Sequence, residues 1–157
     1  MKDRFKFRGM NKGQWYYGGY FKHLPYTPYP VGSCKAPEKD YKHLIIQDGF
    51  SDWGLPREMS AFEVESETVG QCTGLKDKNG KLIYEGDIVK NFHVSSSMQG
   101  RVFIGYVVYD DTRCRFHIQE DKHCGYITFS NTDDIFEVIG NIYENPELLE
   151  VQNADNE

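Results

Sequence analysis

With 157 residues, 39% of them hydrophobic and 27% charged, the chain has the composition of a globular protein able to bury a sizeable core. No apolar run approaches the roughly 18 residues of a membrane-spanning helix. Its net charge of -6 disfavours non-specific nucleic-acid binding, which needs clustered Lys and Arg to neutralise phosphates. That charge is uneven: residues 1–30 hold six basic and one acidic side chain, residues 31–72 four and eight, and residues 73–157 eight and fifteen. A basic front and an acidic back half attract each other within one chain or between copies.

The opening "MKDRFKFRGMNKGQW" alternates basic and aromatic residues and lacks the apolar stretch of a signal peptide, which predicts a cytosolic location. Four cysteines, Cys34, Cys72, Cys114 and Cys124, are too scattered for a secreted disulfide framework and are expected as free thiols.

In "RFKFRGMNKGQWYYGGYFKHL", Phe5 and Phe7 alternate with Lys6 and Arg8 before the turn "MNKG" and an aromatic run, which predicts a β-hairpin. Gly18 and Gly19 lack the Lys-Ser/Thr of a phosphate loop and are expected at a bulge or a close strand approach. Residues 25–42 carry Pro25, Pro28, Pro30 and Pro37 and predict a long surface loop. "HLIIQ" follows as a short buried strand and "GFSDWGLPREMS" as an irregular connection. "SAFEVESETVG" then sets Phe62 and Val64 against Glu63, Glu65 and Glu67, the alternation of a strand with one wet face.

In "TGLKDKNGKLIYEGDIVK", Asn79-Gly80 supplies the positive backbone angles of a tight turn and Gly86-Asp87 makes a second corner. Tyr84, Glu85 and Asp87 bring two carboxylates near a phenol, but no partner base is positioned, and the corner reading is preferred to a catalytic one. Five short strands follow, in "GDIVKNFHV", "RVFIGYVVYDD", "TRCRFHIQED", "CGYITFS" and "IFEVIGNIY", the spacing of a small barrel or sandwich. The second is apolar on both faces, Val102, Ile104, Tyr106 and Val108 on one and Phe103, Val107 and Tyr109 on the other. It therefore calls for a cover from the N-terminal hairpin or another subunit. "NPELLE" gives Asn145 as N-cap and Pro146 at the first position of a short helical turn, and residues 151–157 read as a frayed tail.

The blocks "FKFRGM", "ETVGQCTGLKDKNGKLIYEGDIVK" and "EVIGNIYENPELL" resemble the YopX family of phage and prophage proteins and span most of the chain in the family's order. Met10 and Cys72 stand where the family commonly has aromatics and keep an apolar side chain. The resemblance implies a phage-encoded, mainly β, oligomeric protein of the bacterial cytosol; it brings no established activity and no catalytic residues.

The expected architecture is mainly β. Residues 1–72 form an aromatic hairpin region with the proline-rich loop, packed on an SH3-like small barrel at residues 73–150 that ends in a short helical turn. Cys114, His117, His123 and Cys124 have zinc-ligand types, but in an extended strand Cys114 and His117 point to opposite faces. A Cys34 nucleophile would need His23, His43 or His93 beside it, and nothing in the sequence places them together. No metal, cofactor or catalytic residue is therefore expected. Trp15, Tyr16, Tyr17, Tyr20 and Phe21, with Lys6, Arg8, Lys12 and Lys22 around them, read as a protein interface including self-association, as core, or as a platform for single-stranded nucleic acid. Overall acidity puts nucleic acid behind. The leading expectation is a non-enzymatic accessory protein that binds copies of itself and a host or phage protein through Trp15, Tyr16, Tyr17, Tyr20, Phe103, Val107 and Tyr109. The alternatives are a single-stranded nucleic-acid binder and an enzyme of unrecognised type.

Overall fold

The structure, a computed structural model, describes residues 3–26, 36–49, 51–92, 102–120, 126–129 and 136–150. It is mainly β, with antiparallel strand pairing throughout and short 3-10 turns. Two compact units divide the chain: an N-terminal unit, Phe5–Gln71, and a C-terminal unit, Cys72–Glu157 with Met1–Arg4.

The N-terminal unit contains β1 (Phe7–Asn11), β2 (Gln14–His23), β3 (Lys42–Asp48) and β4 (Met59–Val64). Phe5, expected in the first strand, instead ends a 3-10 turn at Asp3–Phe5 and is exposed, because the ladder starts only at Phe7, opposite Gly18. Lys12 and Gly13 both take positive φ, 50° and 79°, and close the β1–β2 hairpin with the backbone twist that adjacent strands require. β2 is shared: residues 14–18 pair with β1 and residues 19–23 with β3. At the handover the backbones approach so closely that a Cβ on Gly18 would lie 2.1 Å from the Ile46 carbonyl oxygen.

Register puts Phe7, Gly9, Tyr16, Tyr20, His43, Ile45, Phe62 and Val64 on one face. This is the core side: Ile45 and Val64 are buried, Tyr16 stacks on Phe62 and Phe7 meets Tyr20. The end of β4 curls back to β1, where Glu65 N–H donates to Met10 O (2.9 Å) and Asn11 Nδ2 to Glu63 O (2.8 Å). Thr68 Oγ1 accepts from Met10 N–H (2.8 Å). Gly9 permits this closure, since a Cβ there would sit 2.6 Å from Val64 Cγ2. Of the proline-rich segment, residues 27–35 lie outside the described residues, and Glu38–Asp40 form a 3-10 turn before β3. β3 is longer than the short buried strand expected and only Ile45 in it is fully buried, because its alternate side chains face outward.

β5 (Gly70–Lys76) starts beside β1, Gly70 and Gln71 pairing with Arg8 and Phe7, and runs into the C-terminal unit. There it pairs with β6 (Leu82–Tyr84). β7 (Asp87–Phe92), β8 (Val102–Asp110), β9 (Arg115–Gln119), β10 (Tyr126–Thr128) and β11 (Phe136–Asn141) form a sheet in the order β10-β9-β8-β7-β11. An SH3-like barrel would need β10 and β11 to close on each other; among the described residues they are the two edges and the sheet is open. Ile83, Val89, Val107, Ile118 and Phe136 make the core, flanked by Leu75, Phe116, Ile127, Phe129 and Val138.

Both expected corners are present. Asp77 N–H donates to Lys81 O, Gly80 N–H to Asp77 O, and Gly80 alone of the Asn79-Gly80 pair has positive φ (82°). Three residues, not two, therefore span this turn, which needs one left-handed position at its end. At the second corner Gly86 (φ 79°) donates to Val107 O and accepts from Ile142 N–H, each at 2.9 Å. The terminal helical turn is a 3-10 turn at Pro146–Leu149 whose first turn closes through Leu148 N–H to Asn145 O. Asn145 makes no side-chain cap; its amide side chain lies against Gly140. Residues 151–157, read as tail, lie outside the described residues. No helix among the described residues is long and apolar enough to cross a membrane.

Candidate protein-binding surface

Strand alternation sorts the aromatic run into two roles. Tyr16 and Tyr20 face the core of the N-terminal unit, whereas Trp15, Tyr17 and Phe21 fall on the outer face of the same sheet. Cross-strand register arranges that outer face in rows: Phe21 beside Leu44 and Glu63, Gly19 beside Ile46 and Ala61, and Asp48 beside Met59. Gln47 Nε2 donates to Tyr17 O (2.7 Å) and ties Tyr17 to that last row's strand. Tyr17 is 46% exposed, Phe21 51% and Met59 75%. Gly19 and Ala61 are small, so taller side chains flank a low central row floored by the half-buried Ile46.

Three cations of this sheet are engaged. The Arg8 guanidinium lies over the Trp15 ring, 4.6 Å from its centroid, and is buried. Lys22 Nζ reaches Glu38 Oε2 and Lys42 Nζ reaches Glu63 Oε2, both at 2.6 Å. The hydrogen bond between Lys22 and Glu38 raises the ammonium's pKa and lowers the carboxyl's. Cations neutralised within the fold contribute little to holding a phosphate backbone.

At the edge of the core side, a polar chain joins β2, β3 and the turn at Glu38–Asp40. The Tyr20 hydroxyl lies 2.8 Å from His43 Nδ1, and His43 Nε2 lies 3.4 Å from Glu38 Oε1. Lys22 Nζ also sits 4.5 Å from the Tyr41 ring centroid. Phenol, imidazole and carboxylate in line are the residue types of a proton relay. Burial nevertheless pushes the Tyr20 phenol up, the direction opposite to an activated nucleophile, and the carboxylate is largely exposed and shared with Lys22. The chain is suited to pinning the segment before β3 against the sheet.

The other candidates take structural roles. Asp87 Oδ2 accepts from Tyr84 N–H (2.8 Å) and Glu85 Oε1 from Tyr109 N–H (3.3 Å), so both carboxylates of the second corner serve the backbone. Val107, 1% exposed, lies in the core, Phe103 shares its face of β8, and the Tyr109 ring meets Phe116 edge-on at 5.0 Å. The partner surface expected at Phe103, Val107 and Tyr109 is thus the side of β8 that packs within its own unit. Its physical reason is register: pairing Val107 with Ile118 and Gly105 with Val89 points that face inward.

Cys114 sits in the β8–β9 turn with φ 51° and is exposed, Cys72 is buried, and neither is part of a disulfide. That turn is organised by Asp110, whose carboxyl is held well below the usual range by hydrogen bonds from Thr112 and Arg113. His123 and Cys124 of the zinc constellation, and Cys34 and His93 of the thiol constellation, lie outside the described residues. Among the described residues no group of three or more His, Cys, Asp or Glu is placed to hold a metal.

Two features had escaped the sequence reading. Asp77, buried in the first corner, accepts three backbone N–H groups, from Asn79, Lys81 and Val138. An Asp two residues before Asn-Gly is a recognisable turn signal of the first two bonds, not of the third. Trp53, in the connection between β3 and β4, is fully exposed and Leu55 62% exposed; a Trp bounded by Gly and Pro in "SDWGLPRE" was the available sign.

No curated protein matches the chain. Among solved structures, the crystal structure of protein EF1440 from Enterococcus faecalis is similar, with 25% identity and a TM-score of 0.49, over 92% of this chain and 96% of that one. A family model described as YopX protein matches residues 35–150, which include the β3–β4 hairpin, both glycine corners and the five-stranded sheet, and the chain therefore belongs to the YopX family.

Proposed function

We propose that this YopX-family chain is a non-enzymatic accessory protein of a phage or prophage, working in the bacterial cytosol by binding proteins, and that a second copy docks on the outer face of the N-terminal sheet. The observation that carries this reading is the exposure of Tyr17, Phe21 and Met59 around Ile46, on a sheet whose opposite face is already a core. Clustered aromatics and methionine are the residues enriched at the centre of protein interfaces. Lys42 and Glu63 at its rim present both charges side by side, so the face is complementary to itself across a two-fold axis even though the whole chain is acidic. The engaged state of Arg8, Lys22 and Lys42 favours protein over single-stranded nucleic acid.

Sedimentation velocity across micromolar concentrations tests this. The wild type is expected to associate, and Tyr17→Ser with Phe21→Ser to weaken association by about 30-fold or more, as for a central aromatic pair. A wild type that stays monomeric, or a double variant that associates equally well, overturns the reading. Salt-sensitive binding of a single-stranded oligonucleotide lost in the same variant would replace it with the nucleic-acid alternative.

A further inference from the structure

The turn at residues 51–55, between β3 and β4, holds a large side chain out on its tip. Leu55 N–H donates to Asp52 O (3.1 Å), Gly54 takes φ 84°, and Ser51 Oγ donates to Leu55 O (3.3 Å). Positive φ at the third position of a four-residue turn is the geometry in which glycine is favoured, and it leaves Trp53 at the second position, on the tip. Below it Gly49 N–H donates to Glu58 O (2.6 Å) and Asp48 pairs with Met59, so the base of the turn is fixed to the ladder. On this base Trp53 is fully exposed and Leu55 62% exposed. Leaving an indole and an isobutyl group in water on a pinned turn forgoes the burial that drives folding. The same pinning lowers the ordering cost of placing them into a partner.

Charge narrows the partner. The connection and its base carry Asp48, Asp52 and Glu58 against Arg57. The net negative charge of this segment opposes insertion into an anionic lipid surface and stacking on a phosphate-bearing base. It favours a protein whose apolar pocket is rimmed by Lys or Arg. We infer that the Trp53 turn is an anchor that enters an apolar pocket with a basic rim on a second, different protein, Leu55 making the adjoining contact. This rests on the protein-binding reading above but uses a separate surface.

The test places benzoylphenylalanine at position 53 of the full chain in bacterial cells, with the same photoreactive group at Lys78 as control. Ultraviolet cross-linking should give a protein adduct specific to position 53, with the cross-linked peptide beside Lys or Arg. That protein, purified and titrated with the full chain, should lose about 30-fold or more in affinity for Trp53→Ala. Binding should also weaken as salt rises, and Asp52→Lys should remove part of that dependence. Absence of a position-specific adduct, an adduct to another copy of this chain, to lipid or to nucleic acid, or unchanged binding by Trp53→Ala overturns the inference. Trp53→Ala should sediment as the wild type does; that separates failure of this anchor from failure of the self-association surface, which Tyr17 and Phe21 report.

Discussion

Replacing Asp77 with alanine is expected to cost about 3 kcal/mol of stability, the sum of lost charge-assisted bonds less what water restores. Its Oδ1 accepts from Asn79 N–H (2.8 Å) and Lys81 N–H (2.9 Å), and its Oδ2 from Val138 N–H (3.1 Å). Asn79 and Lys81 are exposed and can turn to solvent, whereas Val138 lies in β11 against the core. The third bond thus dominates, since a donor stranded beside packed side chains keeps its full desolvation penalty. Lys78 N–H also donates to Phe136 O (2.8 Å), so the turn is stitched to β11 at two places. Asp77→Asn should cost about half as much: the amide oxygen can keep the turn bonds, but its NH2 then faces the Val138 N–H. Burial alone would raise the Asp77 pKa, yet the N–H donors of Val138, Lys81 and Asn79 together bring it below the ordinary value. A folded pKa lower than the unfolded one means that the charged carboxylate stabilises the fold above the unfolded value of about 3.9 and that this contribution disappears as pH falls through the folded value. Urea titrations should therefore show a constant gap between wild type and Asp77→Ala above about pH 5 and a shrinking one in stronger acid.

Asp77 also shows where reading the sequence stops. The corner around it was legible because left-handed backbone demands glycine, and Gly80 and Gly86 both adopt it. The link to Val138 was not, because 61 positions separate the partners and only the assembled sheet brings them together. β8 makes the same point differently. Period-two alternation separates its residues into two sets, but with both sets apolar, local pattern cannot say which faces the core. Pairing with β7 and β9 decides it, sending Val107 inward with Ile118 and Val89. In the aromatic run alternation implies a split but not its sense: Tyr16 and Tyr20 were expected on the partner surface with Trp15 and Tyr17, and only the pairing with β1 and β3 turns them to the core. Trp53 was hidden by a general preference: large apolar residues are usually buried, and Gly54 and Pro56 beside it mark a turn without saying that the ring stays outside.

Gly18→Ala is expected to destabilise the N-terminal unit by about 3 kcal/mol or more, at or above the top of the usual range for overpacking. The added methyl would lie 2.1 Å from Ile46 O and 2.9 Å from Ile46 C. These are backbone atoms, so no side-chain rotamer relieves the clash and β3 itself must shift. That shift strikes the Gly19–Ile46 pair, the first rung of the β2–β3 ladder, and with it the register that puts Ile45 in the core and Ile46 on the outer face. Gly19→Ala is the matched control: its nearest neighbour, the same carbonyl, lies 4.0 Å away, and exchanging an exposed strand glycine for alanine is expected to be neutral or to gain a few tenths of a kcal/mol from reduced unfolded-state freedom. Hydrogen exchange should locate the damage in Gly18→Ala at β2, β3 and β4, leaving the amides of β7, β8 and β9 protected. Equal stability of the two variants would mean that the strands separate at the handover without cost, and that β2 is held by β1 alone.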